Sequence, residues 1–320
     1  MVSVIIPNWN GVKHLEVCLG SLEKQSYKEF EVIFVDNGST DESVRLVKRQ
    51  FPRVHVVVLK GNKGFARAAN EGIKIAHGEY IALLNNDTET DPYWLEELLK
   101  GMKKSEEIGL CASKIIQLDD RSKLDTAGDG YTKFGVSIKR GHRHAKEEYP
   151  HEEFVFGACA AAALYRRPIF DEIGYFDEDF FCIYEDVDLS FRAQLAGHKC
   201  LYVPKAIVYH RVGGTAGMDN DFTVYYGQRN LESVFLKNMP FPLLVKYLPL
   251  HVGYVVLAFV YNLLRKKGRI FLRSKMDALK QIKLTLQKRK IIQIKRKVSS
   301  GDLEMVFDQR SLFQHRAGIT

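Results

Sequence analysis

Residues 175–192, YFDEDFFCIYEDVDLSFR, concentrate acidic and aromatic side chains more densely than the rest of the chain. Asp177 and Glu178 end one segment, Phe180, Phe181 and Tyr184 form an aromatic shelf, and Glu185, Asp186 and Asp188 precede or open a helix continuing through Leu189, Phe191 and Arg192. Carboxylates there meet the positive end of the helix dipole, a placement worth about 0.3 to 1 kcal/mol, so capping alone would account for them. Chemistry is the other reading, and the first half of the chain bears on the choice. Asp36 could accept hydrogen bonds from the ring N–H or ribose hydroxyl of a nucleotide, or could make an Asx-turn. In Gly61-Asn62-Lys63-Gly64-Phe65-Ala66-Arg67 the glycines permit close backbone approach, a helix N-terminus attracts anions, and Arg67 lies one turn inside it. The segment is not GxxxxGK[ST]. Asn85-Asn86-Asp87-Thr88 groups hard oxygen ligands where Mg²⁺ or Mn²⁺ could bridge to phosphates, although a solvated turn would look similar. His210 and Arg211, followed by Val212-Gly213-Gly214-Thr215, could close over a diphosphate.

These groups fall at the ends of predicted strands. β-branched or apolar runs at residues 2–6, 30–35, 54–59 and 80–84 read as buried strands, and helices fit 12–24, about 41–50, 64–76 and 92–104, the last opened by Pro92. Strands alternating with single helices imply right-handed βαβ crossovers in a mostly parallel sheet, with ligands outside the carboxyl ends of the strands. Beyond residue 105 the pieces shorten and glycines multiply, and this half is expected to build the second substrate's pocket. Residues 154–165, FVFGACAAAALY, read as plain core. A further strand is expected at 200–203, and residues 207–209 lead to His210.

The 320 residues and 36.6 kDa accommodate one large α/β domain with an appendage, and 46% hydrophobic content excludes global disorder. The five cysteines are scattered with no CxxC pair, so neither a zinc site nor a disulfide framework is expected and a reducing compartment fits. The N-terminus enters VSVIIPNWN directly, without a basic region ahead of a cleavable apolar run, so no signal peptide is expected. Charge is uneven. Residues 265–297 hold 14 Lys or Arg against one acid, Asp277, so this stretch carries +13 while the rest of the chain carries −5 of the formal +8.

Taken together, VSVIIPNWNG, SLEKQSYKEFEVIFVDNGSTDES, GNKGFARAANEGI, LLNNDT, the DTAG of residues 125–128, FDEDFFCIYEDVDLSFR and YHRVGGT resemble the family 2 glycosyltransferases of GT-A fold, in their rhamnosyltransferase-like branch. The resemblance spans residues 2–230 in the family's order. It implies a Rossmann-like α/β sheet and a nucleotide-diphosphate sugar donor, dTDP- or UDP-linked. Pro7, Asn8 and Asp36 would lie near base and ribose, and Asn62, Gly64 and Arg67 would line the donor pocket. Asn85, Asn86 and Asp87 would stand at the family's DXD position. The first DXD carboxylate is here Asn85, leaving Asp87 the one charged side chain of the triplet. A divalent cation, Mg²⁺ or Mn²⁺, would be held by Asp87, with His210 as a further metal or phosphate contact. Family members typically invert the anomeric centre, and Asp186 would be the general base, with Glu185, Tyr184 and Arg211 supporting the base or the acceptor. Domain limits follow as 1–238 for the transferase (1–104 for the donor half, 105–238 for the acceptor and catalytic half) and 239–320 for the tail.

The tail is the remaining question. Residues 241–264 are apolar but interrupted by Lys246, Pro249 and His251, and the unbroken part of about 13 residues falls short of the roughly 20 a spanning helix needs, so an interfacial or re-entrant element is expected. Next comes a basic helix in which Leu272, Met276, Leu279, Ile282 and Leu286 recur at helical spacing, suited either to an anionic membrane face or to a packed hairpin with a solvated charged side. Aromatics do not interleave with the charges, so nucleic acid is a poorer partner. A cytosolic protein peripheral on the inner face of the cell membrane, using a glycan or polyprenyl-linked acceptor in polysaccharide or glycolipid synthesis, is the expectation. A dehydrogenase would need GxGxxG where this chain has PNWNG. The competing classes are a silent sugar-nucleotide-binding scaffold, which would bind without product, and a nucleotidyltransferase, which would release diphosphate.

Overall fold

A computed structural model describes residues 1–213 and 220–309; Gly214 and Thr215 lie outside them. In chain order the elements are β1 (Val2–Asn8), α1 (Val12–Glu23), β2 (Phe30–Asp36), α2 (Ser43–Gln50), β3 (His55–Val58), α3 (Phe65–Ile75), β4 (Tyr80–Leu84), β5 (Thr88–Thr90), α4 (Trp94–Met102), β6 (Ile108–Gln117), β7 (Leu124–Thr126), β8 (Asp129–Tyr131), β9 (Ser137–Lys139), β10 (Glu153–Val155), β11 (Ala162–Arg166) and α5 (Pro168–Ile173). A single 3₁₀ turn (Glu178–Phe180) precedes α6 (Glu185–Leu195), β12 (Lys199–His210), α7 (Asp221–Asn238), α8 (Phe241–Leu264), α9 (Gly268–Lys280), α10 (Ile282–Ile294) and α11 (Ser300–Met305).

The main sheet runs β10-β12-β6-β11-β4-β1-β2-β3. β4, β1, β2 and β3 are mutually parallel, as expected, so the loops after them open at one edge. The second half is mixed: β11 lies antiparallel between β4 and β6, and β12 returns parallel to β6. Residues 154–165 divide between the end of β10, a loop and β11, and from Val155 to Tyr165 all but the half-buried Cys159 are buried, as expected of core, while Phe154 is exposed. The two expected pieces around 200–209 are one strand, β12, with a register shift between Val203 and Ile207.

Two-residue periodicity sorts the central strands between two cores. Val4, Ile6, Phe34, Ala82 and Leu84 face α1, α2 and α4, while Ile5, Ile33, Val35, Ile81 and Leu83 face α3, α5 and α6. With both faces covered, β1 is buried at every position, which is why its sequence reads as a continuous apolar run.

The C-terminal helices share a third core with α6 and α7, in which Tyr184, Val187, Phe191, Leu231, Phe235, Tyr247, Tyr254 and Phe271 meet. α8 is one unbroken helix of 24 residues through Pro249, long and apolar enough to cross a membrane by length and composition. That differs from the uninterrupted stretch of about 13 residues expected: Pro249 removes one backbone donor, yet the helix continues through it. Leu243, Tyr247, His251, Tyr254, Ala258 and Asn262 form its buried stripe, and His251 contacts Glu232 at 2.9 Å and the Phe134 carbonyl at 2.8 Å. The basic segment is two helices meeting at Gln281.

Candidate functional site

The first wall of the site is built where β1 and β2 end. Asn8 and Asp36 are register neighbours, following Pro7 and Val35. The Asn8 amide donates to Asp36 Oδ1 at 3.1 Å and accepts from Asn86 Nδ2 at 2.6 Å, and Asp36 also accepts from the Ser39 amide at 3.0 Å. Beside it, Asn37 Nδ2 donates to Asn62 Oδ1 and to the Gly64 carbonyl, both at 3.0 Å. Gly64 has φ +87°, and a Cβ there would stand 2.4 Å from the Phe181 carbonyl oxygen, so the loop must be glycine to reach the segment ahead of α6.

The second wall forms after β4. Pairing of β5 with β12 sets His210 opposite Thr88, and His210 Nε2 lies 3.4 Å from Asp87 Oδ1. Its Nδ1 meets the fully buried Asp125 at 2.9 Å, and Asp125 in turn holds Lys139 at 2.8 Å. Burial alone would lower the His210 pKa, but hydrogen bonds and charge from Asp125 and Asp87 outweigh it and raise it to about 9. Burial works against the Asp87 carboxylate, and His210 nonetheless holds it below its ordinary range. This donor set fits a divalent cation that displaces the Nε2 proton: a carboxylate oxygen and an imidazole nitrogen converge, and a carboxylate fixes the other imidazole nitrogen, the usual support of a metal-binding histidine. The Asn85 amide comes within 3.5 Å of His210 Nε2. Arg211 sits on this side, with its amide donating to the Asp87 carbonyl at 3.0 Å and its guanidinium 3.3 Å from Asp119.

The third wall is the first turn of α6. Tyr184 is its N-cap residue, buried, with its hydroxyl 3.4 Å from the Ser137 amide. Asp186 is half-buried and accepts from the Ala160 amide at 3.0 Å and the Val187 amide at 2.8 Å. Asp129, Cys159 and Asp186 bring ligating atoms within 4.8 Å of one another. Burial, and then the charge of Asp186, push the Asp129 carboxyl up to about 8, against the pull of Lys139. Asp186 is raised too, by burial, with its two amide donors and Lys139 opposing. The two carboxyls titrate as a coupled pair, both raised by burial. Glu185 is buried, its Oε2 has no hydrogen-bond partner, and burial followed by Asp186 raises its pKa well above normal.

Contacts run between these walls. α3 joins the donor loop to the acidic stretch: the Ala66 amide donates to the Phe181 carbonyl at 3.2 Å and Asn70 exchanges hydrogen bonds with Phe176 at 2.9 and 3.0 Å. Lys139, paired with Asp125, also acts electrostatically on Asp129 and Asp186, so charge is linked from Asp87 to Asp186. Arg67 is engaged elsewhere, 2.8 Å from Glu178 and 3.1 Å from Glu71. Asp188 faces away into the core, bound to Lys237 at 2.8 Å and Arg192 at 2.9 Å.

Sequence reasoning did not single out Asp129, Lys139 or His14. The run DTAGDG carried a signal, since its two acids four apart flank a glycine turn and both point inward. His14 is buried on α1 with Nε2 unpartnered, and burial lowers its pKa while the Asp87 charge opposes.

The chain is similar to known proteins in sequence and in fold. The chain is 27% identical over 247 residues to N-acetylglucosaminyl-diphospho-decaprenol L-rhamnosyltransferase of Mycobacterium tuberculosis, covering 68% of this chain and 78% of that one. Its fold is similar to GalNAc-T7 crystallised with UDP, GalNAc and Mn²⁺ (TM-score 0.58, 18% identity, 73% of this chain and 48% of that chain). It is also similar to a mannosyltransferase of Pyrobaculum calidifontis in complex with GDP-Man and Mn²⁺ (TM-score 0.54, 17% identity, 92% and 86%). At these identities the two structures speak to a common GT-A fold. Residues 3–174, which carry the donor loops, the Asp87 turn and the Asp129 carboxyl, match the family described as Glycosyl transferase family 2, and the chain belongs to that family.

Proposed function

We propose that this glycosyltransferase moves a sugar, with inversion, from a dTDP- or UDP-linked donor to a hydroxyl of a polyprenyl-linked or glycan acceptor. The observation that supports this best is the charge-linked line from Asp87 through His210, Asp125 and Lys139 to Asp129 and Asp186. In this reading Asp87 and His210 form the cation-binding end and Asp186 the basic end, opposed as an in-line displacement needs. Asp36 and Asn8 receive the nucleoside, and the Asn62–Gly64 loop approaches the diphosphate. Asp87 and His210 would hold Mg²⁺ or Mn²⁺, which when bound neutralises charge developing on the departing nucleoside diphosphate. Asp186 takes the acceptor proton, beside the Asp129 carboxyl, which burial and the charge of Asp186 raise to about 8, and beside the buried Glu185.

The acceptor is lipid-linked in this reading. The mycobacterial relative is named for a decaprenol-linked substrate. α8 is seated on the domain along its whole length, so its outward residues, among them Val245, Val252, Val256, Leu257 and Leu264, form an exposed apolar ridge continued by Leu272, Met276 and Leu279 of α9. Such a ridge beside basic residues suits the anionic inner face of the cell membrane.

Turnover tests this directly. Wild type, given dTDP-rhamnose, UDP-N-acetylglucosamine or GDP-mannose with Mn²⁺, should release the nucleoside diphosphate from one of them and lose that activity in EDTA. Full turnover in EDTA, or release of inorganic diphosphate instead, overturns the reading.

A further inference from the structure

The turn that delivers Asp186 is in a conformation its own sequence resists. Phe181, Ile183 and Tyr184 have φ of 64°, 66° and 74°, in the left-handed region that side chains disfavour and a β-branched residue disfavours most. Glycine would adopt it freely, yet none occurs between Gly174 and Gly197. Such a turn persists where its surroundings impose it.

The imposing groups come from α7. Asn230, 1% exposed, directs its side-chain amide at three successive parts of the turn: the carbonyls of Phe180 at 3.0 Å, Cys182 at 2.9 Å and Ile183 at 2.6 Å. Arg229 Nε donates to Asn230 Oδ1 at 2.9 Å, which fixes the NH₂ toward those carbonyls. The Arg229 Nη2 group donates to the Asp179 and Phe180 carbonyls at 2.7 and 3.0 Å. A buried carbonyl left without a donor is strongly disfavoured, so the turn stays folded around Asn230.

We propose that Asn230, oriented by Arg229, is a positioning residue that locks the 180–184 turn and thereby sets where Asp186 meets the acceptor hydroxyl. The inference rests on the reading of Asp186 as base. It identifies α7, which also packs against α9 and α10, as the element through which the membrane-facing helices support the reactive carboxylate. Misplacement of a reacting group by about 1 Å can lower rate by about 10²-fold, and Asn230 touches neither donor loop.

The test uses the full chain and the nucleotide sugar that wild type turns over among the three named above. In Asn230→Ala, kcat should fall by about 10- to 100-fold with donor KM within about threefold, and amide exchange at residues 182–186 should quicken by at least about tenfold. Asn230→Ser, which keeps one donor, should lie between and replaces the alanine variant if that fails to fold. Wild-type kcat in either folded variant, or a lowered kcat with unchanged exchange at 182–186, overturns the proposal. Asp186→Asn is assayed in parallel. Undiminished turnover in that variant strikes the base assignment, whereas an inactive Asp186→Asn beside a fully active Asn230→Ala strikes the positioning role alone.

Discussion

Replacing Asp129 by asparagine tests the carboxyl pair without touching the donor pocket. A unit charge about 4.8 Å away contributes ~3.5 kcal/mol at an effective dielectric of about 20, or roughly 2.5 pK units, with burial adding to it and Lys139 opposing. The net result places the Asp129 carboxyl at about 8 against an ordinary 3.8. A folded-state pKa raised in this way contributes stability that is present in full below the ordinary value and is lost as pH rises through about 8. At about 1.36 kcal/mol per unit, wild type should lose about 2 kcal/mol between pH 6 and pH 8 that the near-isosteric Asp129→Asn protein keeps. Asp186 is coupled to Asp129, so the difference reports the titration of the pair. Urea unfolding at pH 6, 7 and 8 measures it. Curves for the two proteins that run parallel within about 0.5 kcal/mol would show that the pair does not titrate in this range.

Three further outcomes follow from the same geometry. Asp186→Asn should leave donor affinity nearly unchanged while turnover drops by about 10² or more; loss of donor affinity at unchanged kcat reassigns Asp186. Lys237, 2% exposed, joins Asp177 at 2.5 Å and Asp188 at 2.8 Å, so Lys237→Ala takes one cation from each of two buried carboxylates, which keep Lys288 and Arg192, and should cost about 3 kcal/mol in urea unfolding, with a cost below 1 kcal/mol contradicting the burial. Flotation with anionic vesicles should carry wild type upward at low salt and still partly at high salt, and Leu257→Lys should reduce it; a wild-type protein that stays wholly in solution rules out the docking face.

How much of this was legible in the sequence depended on how local the determinants are. β4 was read to the residue and β1 to within two because covered parallel strands write themselves as unbroken apolar runs ended by polar turns. Asp36, Asp87 and Asp186 stood at strand or helix ends, where a chain-order reading looks first. Asp129 and Lys139 were missed because nothing near them in the chain announces a partner: Asp129 faces Asp186 across 57 positions, and only the β8–β9 hairpin aims Lys139 at Asp125. Asn230 was invisible for the same reason, since its partners are backbone carbonyls, which every sequence supplies.

The tail shows how charge counting misleads in a specific direction. Fourteen basic residues in 265–297 suggest a solvated, lipid-seeking electrostatic face. Yet Lys288 turns inward to Asp177 and Asp179 at 2.5 and 2.6 Å, Lys275 to Glu232 at 2.6 Å, and Arg289 to the carbonyls of Leu236 and Met239 at 2.6 Å. Leu272, Met276, Leu279, Ile282 and Leu286 are exposed beside nine of the fourteen cations. Part of the positive charge is thus spent on buried acceptors, including the acidic turn that leads to Asp186, while the apolar ridge stays exposed. Contact with a membrane through that ridge depends on burying area more than on screened charge, which is why high salt should weaken it only partly.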